Sequence, residues 1–373
     1  MSLREKIVRE IREHGPLPFS RYMELCLYDP ELGYYCADVE RFGKAGDFYT
    51  SSDIHAIFAR LMARQFEEMW RAMDSPAEIE FVEFGPGRGL FARDLLDWSE
   101  AKFPDFFQAL QAKLIERSAA LRERIGRGLA RHVDSGKVSI HDQAQAMNRP
   151  AIVFANEFLD ALPFEVLSRR GELRIAEDRG AFLETWCIPS EEESAFLERH
   201  SVRPEREERI EAQLAGQRFM SQSAARLRSG FFIVVDYGYT QAEQFAGRHR
   251  GTLMTYRRHS ASADPYEAPG EQDITAHVNF TALGSAAREQ GVQVEPLLTQ
   301  SQFLMGIGEK NKFADVFEGC RGPQEKAKVT LQLKHLITPT GLGETFQVLV
   351  ATKGVSDEKV QSLNGLRYAP RIG

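Results

Sequence analysis

No stretch of this chain approaches the roughly 20 consecutive apolar residues that a membrane-spanning helix needs, so no membrane span is expected. The first residues, MSLREKIVREIREH, are charged and amphipathic and lack the apolar core of a secretory signal. That points to a cytoplasmic protein. Cysteine is scarce: Cys26, Cys36, Cys187 and Cys320 lie far apart, without the close pairs of a zinc site or the density of a secreted disulfide framework. Buried or idle thiols in a reducing compartment are the expectation. A basic excess is also missing, since the formal net charge is −7. Phosphate contacts need Lys and Arg, so a nucleic-acid partner is not expected. Internal repeats and low-complexity tracts are absent. What is present, 43% hydrophobic and 27% charged residues in a chain of 373, is globular composition, enough for one large domain with additions or for two domains.

Periodicity places the elements. Leu3, Ile7, Val8 and Ile11 recur at helical spacing, and Gly15-Pro16 stops that helix. Ser20 is positioned to cap a second helix over Arg21 to Leu27, Asp29-Pro30 ends it, and residues 29–52 read as irregular loop. Asp53 caps a long amphipathic helix to about Met73. From Ile79 strands and helices alternate: strands at Ile79 to Phe84, Lys113 to Glu116, Lys137 to Ile140, Ala151 to Ala155 and Phe231 to Val235, with helices after Leu90 and Ala119. Short apolar strands separated by helices predict a parallel sheet covered on both faces. Residues 164–229 break that rhythm: turn signals at Arg170-Gly171 and Arg179-Gly180 predict an antiparallel meander, and 204–228 reads as a charged helix. The acidic runs Glu191 to Glu193 and Glu205, Glu207 and Glu208 read as solvated helix faces, 251–279 as irregular, and Glu344 to Ala351 as the last strand. Such a doubly wound sheet places its ligand site at the carboxyl ends of the strands.

The segment FVEFGPGRGLF puts Gly85, Gly87 and Gly89 directly after a strand and before a helix. Glycines there let the backbone turn tightly and approach a ligand. Glu116 ends the next strand, where a carboxylate can accept both ribose hydroxyl protons. Glu83, two residues before the first glycine, would repel a pyrophosphate but suits a cationic sulfonium or ammonium group. That favours S-adenosyl-L-methionine over a dinucleotide. Asp142, after the third strand, is a candidate for the adenine amino group or, equally, a surface turn residue. At the mouth of the fourth strand, AIVFANEFLD presents Asn156, Glu157 and Asp160, either to orient a methyl acceptor or to cap a following helix, with acids in its first turn. Arg88 reads as solvent-facing, and Tyr34 and Tyr35 as packing residues or cleft lining.

These segments resemble the MidA-type methyltransferases, a family that includes the mitochondrial complex I assembly factor acting on an arginine of a core subunit. The resemblance is carried by GPLPFSRYMELCLYDPELGYY (15–35), FGKAGDFYTSSDI (42–54), EFGPGRGLFARDLL (83–96), ANEFLDALPFEV (155–166), VVDYGY (234–239), GTLMTYRRH (251–259), QDITAHVNFTAL (272–283) and GETFQVLV (343–350). It implies an α/β fold: a doubly wound, seven-stranded, Rossmann-like class I methyltransferase sheet with a helical N-terminal cap and an inserted α+β segment. The expected division is 1–76 for the cap, 77–163 and 230–373 for the two parts of the core, with a substrate-mouth loop at 251–279, and 164–229 for the insertion. By the same resemblance Glu83, Gly85, Gly87 and Glu116 are cofactor positions, and Gly46, Asp47 and Thr50 belong to a segment closing over the cofactor. Asn156, Glu157 and Asp160 stand beside the methyl, while Asp273, Thr275 and His277 stand at the substrate mouth, His277 as a proton relay or a packing histidine. The family pattern has an acid where Asn279 stands here. The implied substrate is a protein, a respiratory-complex subunit by resemblance, methylated on an arginine. A small-molecule acceptor, a cofactor-binding assembly chaperone and a dehydrogenase are the rival readings.

Overall fold

Strands with no wet face read as unbroken apolar runs, and the inner strands of this protein are such runs. The structure, a computed structural model, describes residues 1–36, 56–205, 207–257 and 260–370. Its largest sheet contains β1 (Ile79–Phe84), β2 (Leu110–Ile115), β3 (Val138–His141), β4 (Ala151–Asn156), β5 (Gly230–Tyr239), the two-residue β6 (Gln293–Val294) and β7 (Phe346–Lys353), in the order β3-β2-β1-β4-β5-β7-β6. All six residues of β1 are buried. Neighbours from β3 through β5 are parallel, and the helices Leu90–Lys102 and Ala119–Gly128 make the crossovers from β1 to β2 and from β2 to β3. The chain therefore winds outward from β1 in both directions, as the alternation predicts, and its switch point lies between β1 and β4.

The last long strand does not follow the parallel pattern. β7 lies antiparallel between β5 and β6. A parallel entry there would need another crossover. Instead the chain passes through the helices Gln300–Glu309, Ala314–Phe317 and Pro323–Ile337, which the sequence reading did not identify, and returns in the opposite direction.

Residues split into two compact units. The sheet unit comprises 49–157, 223–237 and 287–373. Its core joins Phe66, Phe81, Phe91 and Phe154 with the helix Ala56–Ala72. The second unit comprises 1–48, 158–222 and 238–286. Its antiparallel sheet runs Leu17–Pro18, Gly171–Asp178, Glu165–Ser168, Arg209–Ala212, with Ala181–Cys187 also paired to Gly171–Asp178. Arg179 and Gly180, at φ 50° and 85°, form the two-residue turn of that last hairpin. The helices Leu3–His14 and Phe19–Tyr28 bury Leu3, Ile7, Ile11, Phe19 and Tyr22 in this unit's core with Leu173 and Ile175.

Several expectations are corrected here. Ser20 is not a helix cap: the helix begins at Phe19 behind Pro18, and the Ser20 hydroxyl donates to the Glu165 carboxylate. The stretch 204–228 is not one helix, because Arg209–Ala212 pairs as a strand with Glu165–Ser168 and only Leu214–Arg226 is helical. Glu193 is buried and closes a capping box with Ser190 at the head of the helix Glu191–His200. Glu208 precedes the strand and pairs with Arg250 at 3.0 Å, so it lies on no helix face. Within 251–279, Met254–Arg257, Ser260–Ser262 and Asp273–Thr275 form a three-stranded sheet. Asp53, Gly46, Asp47 and Thr50 lie outside the described residues. No disulfide joins any two of the four cysteines. Among the described residues no helix is long and apolar enough to cross a membrane.

Candidate active site

Strand register brings four sequence-predicted positions to the carboxyl end of the parallel strands in the sheet unit. Phe84 pairs with Ile115 on one side and Ala155 on the other, so Gly85, Glu116 and Asn156 leave their strands at the same level. Ile115 pairs in turn with His141, which sets Asp142 beside Glu116. Val235 pairs with Asn156, which sets Asp236 beside Glu157. Asp236 is fully buried and was not singled out by sequence, although its place after the apolar run FFIVV marks it in the same way as Asn156. Asp142 is exposed.

The glycine turn shows two different needs for glycine. Gly87 has φ +54°, and a Cβ there would meet nothing within 4 Å among the described residues. Gly89 has φ +73°, and a Cβ would come within 2.6 Å of Leu129 Cδ1. Gly87 thus faces open space that a ligand can enter, whereas Gly89 seats the helix Leu90–Lys102 against its neighbour. A Gly89→Ala substitution is therefore expected to lower the melting temperature strongly. Gly87→Ala should cost only about 1–2 kcal/mol for its backbone conformation, yet weaken ligand binding at least tenfold. Thermal melts with and without S-adenosylhomocysteine separate the two effects.

Glu83 is 4% exposed, and its Oε2 has no hydrogen-bond partner among the described residues. Burial pushes its carboxyl up to about 8. An unpartnered buried carboxyl is costly unless a ligand completes it. Glu116 is half-buried, with one carboxylate oxygen accepting from Ser118 N–H at 2.7 Å, and burial raises its pKa despite that bond and nearby Arg122. Arg88 is half-buried rather than solvent-facing.

The fourth-strand motif is not a helix cap. No helix follows Asn156; residues 157–164 are bends, turns and extended chain. Glu157 instead adopts φ +48°, a left-handed conformation that non-glycine residues avoid, and its N–H donates to Val235 O at 3.0 Å. Asn156 Nδ2 donates to Glu157 Oε1 at 3.1 Å, while Asn156 Oδ1 is buried without a hydrogen-bond partner among the described residues.

In the second unit, Asp160 and Asp273 are 8% and 3% exposed. Tyr35 O–H donates to Asp273 Oδ1 at 2.8 Å, and Ala276 N–H to the Asp160 carbonyl at 3.1 Å. Burial first, and then the charges of both aspartates, raise the pKa of Tyr35 and of Tyr256, so the two acids and two phenols form one electrostatic group. Tyr256 was not read from sequence, and Tyr35 was read only as packing or cleft lining: a turn and a four-residue strand are too short to carry a periodic signal. His277 lies elsewhere in its contacts. Its Nδ1 is 3.1 Å from His249 Nδ1, and burial together with His249 pushes its pKa down to about 4, leaving it neutral at neutral pH. Asn279 explains its departure from the acidic family pattern: its side chain accepts from Ala282 N–H, capping the helix Phe280–Arg288, and donates to His200 O, which a carboxylate cannot do.

The strand-end arrangement fits a ligand with a cationic group, two adjacent hydroxyls and a small footprint at the turn: an orphaned buried acid at Glu83, a second carboxylate at Glu116, and open space at Gly87. Comparison with known proteins agrees. Residues 61–297 match the model of a family described as S-adenosyl-L-methionine-dependent methyltransferase. A crystal structure of a Burkholderia thailandensis protein bound to S-adenosyl-homocysteine superposes with TM-score 0.84 at 28% identity, covering 99% of this chain and 95% of that one. The curated "Protein arginine methyltransferase NDUFAF7, mitochondrial" of Danio rerio is 26% identical over 93% of this chain and 86% of its own length. The Drosophila melanogaster homologue of that name is 26% identical over 95% and 85%. S-adenosyl-L-methionine is thus the cofactor, and the chain belongs to this MidA-type family of class I S-adenosyl-L-methionine-dependent methyltransferases.

Proposed function

We propose that this methyltransferase acts on an arginine side chain of a partner protein, a respiratory-complex subunit being the class that the family resemblance implies. The observation that carries the reading is the pair of buried acids, Asp160 and Asp273, gathered with Tyr35 and Tyr256. A guanidinium stays protonated at ordinary pH. Its nitrogen becomes a nucleophile only if held in orientation and if its charge is offset while a proton departs. Carboxylates serve both needs. The names of the curated relatives support the same acceptor.

Within this reading the residues divide their work. Glu83, Gly85, Gly87 and Glu116 hold the cofactor, which when bound supplies an electrophilic methyl on a positively charged sulfur. Asn156 and Glu157 fix the acceptor nitrogen, with the Asn156 amide orienting the Glu157 carboxylate. Asp160 and Asp273, gathered within the second unit, supply negative charge of the kind a guanidinium needs as its proton departs. His277, neutral at neutral pH, faces His249 with their Nδ1 atoms 3.1 Å apart.

Methyl-labelled S-adenosylmethionine, the purified chain and an extract from cells lacking it provide the test. Label is expected in protein, released on acid hydrolysis as methylarginine. Label confined to the small-molecule fraction, or to another amino acid, would remove the arginine assignment.

A further inference from the structure

The residue that ends β2, Glu116, is held from three sides, all within the sheet unit. Its N–H donates to the His141 carbonyl at 2.9 Å, at the end of β3. Its carboxylate accepts from the Ser118 N–H at 2.7 Å. Its carbonyl accepts from Arg122 Nη1 at 2.8 Å, and the same nitrogen reaches the Arg117 carbonyl at 2.7 Å. The Gly85 N–H donates to the Ile115 carbonyl at 3.1 Å, so the glycine turn and the Glu116 turn share one anchored strand end.

Arg122 is out of place as a helix residue. It stands at the start of the helix Ala119–Gly128, where a cation opposes the helix dipole. Ser118 already caps that helix, its side chain accepting from the Leu121 N–H at 3.3 Å. Helical side chains tilt toward the N-terminus, which lets the guanidinium reach back past the cap. Both carbonyls it holds precede the helix, so its hydrogen bonds serve the turn that carries Glu116.

Resting on the reading that Glu116 takes the cofactor's ribose, we propose that Arg122 is a positioning residue for that contact. It locks the turn 116–118, so the carboxylate is already aligned when two adjacent hydroxyls arrive. A carboxylate offers about four lone-pair sites. The Ser118 and Arg117 N–H groups use part of that capacity, and the rest matches a pair of hydroxyl donors. A group fixed before binding loses little freedom when its ligand arrives. The charge of Arg122 acts in the same direction. Burial raises the Glu116 carboxyl, while the Ser118 N–H and then Arg122 favour the ionised form that accepts from hydroxyls.

The probes are S-adenosylhomocysteine and its 2′,3′-dideoxy analogue, each titrated calorimetrically into the full chain. Wild type is expected to bind the analogue roughly a hundredfold more weakly, the scale of two hydroxyls lost from a carboxylate. Arg122→Met keeps most of the stem and removes the donors. It should bind S-adenosylhomocysteine roughly tenfold more weakly while its affinity for the analogue stays near wild type, so the ratio contracts to about tenfold. Its cofactor-free melting temperature should change little, since Ser118 still caps the helix. Arg122→Lys should hold the wild-type ratio, because one nitrogen serves both carbonyls and an ammonium carries three donors. Arg127→Met removes an exposed cation from the same helix and should behave as wild type. Equal loss of both ligands in Arg122→Met, with the ratio unmoved, would overturn the positioning role and leave the ribose reading intact. Glu116→Ala reports on that reading separately. Its ratio should fall to about one, and a wild-type ratio there would remove Glu116 from the ribose and Arg122 with it.

Discussion

Glu83→Gln is expected to weaken binding of S-adenosylhomocysteine by about two orders of magnitude, the scale of removing one partner from a buried charge pair. The same substitution should raise the melting temperature of the cofactor-free protein at pH 8. Both effects come from one group. Its carboxyl titrates at about 8 in the folded chain, against an ordinary 4.5. The folded state therefore holds a proton that the unfolded chain has released, and wild-type stability falls between about pH 4.5 and 8, by about 1.4 kcal/mol per unit. Above 8 that loss is complete and constant. Glutamine carries no such penalty. For binding the sign is reversed: the ligand's ammonium requires the anion, so affinity should be flat above pH 8 and fall tenfold for each unit below it. Calorimetric titrations from pH 6 to 9 read the wild-type slope, and the variant should show none.

Glu157→Gly is the second large effect, and it should divide stability from activity. The wild-type residue sits at φ +48°, where a side chain costs about 1–2 kcal/mol. Glycine removes that cost, so the variant should melt higher than wild type. Methyl transfer should drop at least a hundredfold, because the carboxylate that Asn156 Nδ2 orients is gone. S-adenosylhomocysteine affinity should change little. Strain retained in a segment that no helix follows is what makes Glu157 the position to test. Unchanged turnover in Glu157→Gly would place the strain in folding alone and remove Glu157 from the site.

What could be read from sequence follows the physics of each element. The inner strands were legible because burial on both faces leaves an unbroken apolar run, as in β1 and β4. The glycine turn was legible because left-handed backbone at Gly85, Gly87 and Gly89 needs that residue type. Register then did the rest: once β1, β2 and β4 are parallel neighbours, Gly85, Glu116 and Asn156 must share the carboxyl end of the strands. The second unit was less legible. Its sheet draws Leu17–Pro18 and Arg209–Ala212 into one array from sites far apart in the chain, and such pairing leaves no local periodic mark. Short, charged strands such as Arg209–Ala212 resemble helix faces in isolation. The Tyr35 to Asp273 bond spans 238 positions and joins a turn to the short strand Asp273–Thr275. Only the three-dimensional arrangement shows it. The antiparallel entry of β7 was hidden for a related reason, since strand direction is fixed by the connection and not by the strand's own residues.

Diffraction from the chain crystallised with S-adenosylhomocysteine tests the account most directly. The ligand's ribose hydroxyls should lie on the Glu116 carboxylate, its backbone contacts should fall at Gly85 and Gly87, and its ammonium should complete the hydrogen bonding of Glu83. Ligand density anywhere else on the sheet, or a bare glycine turn at saturating ligand, would contradict it.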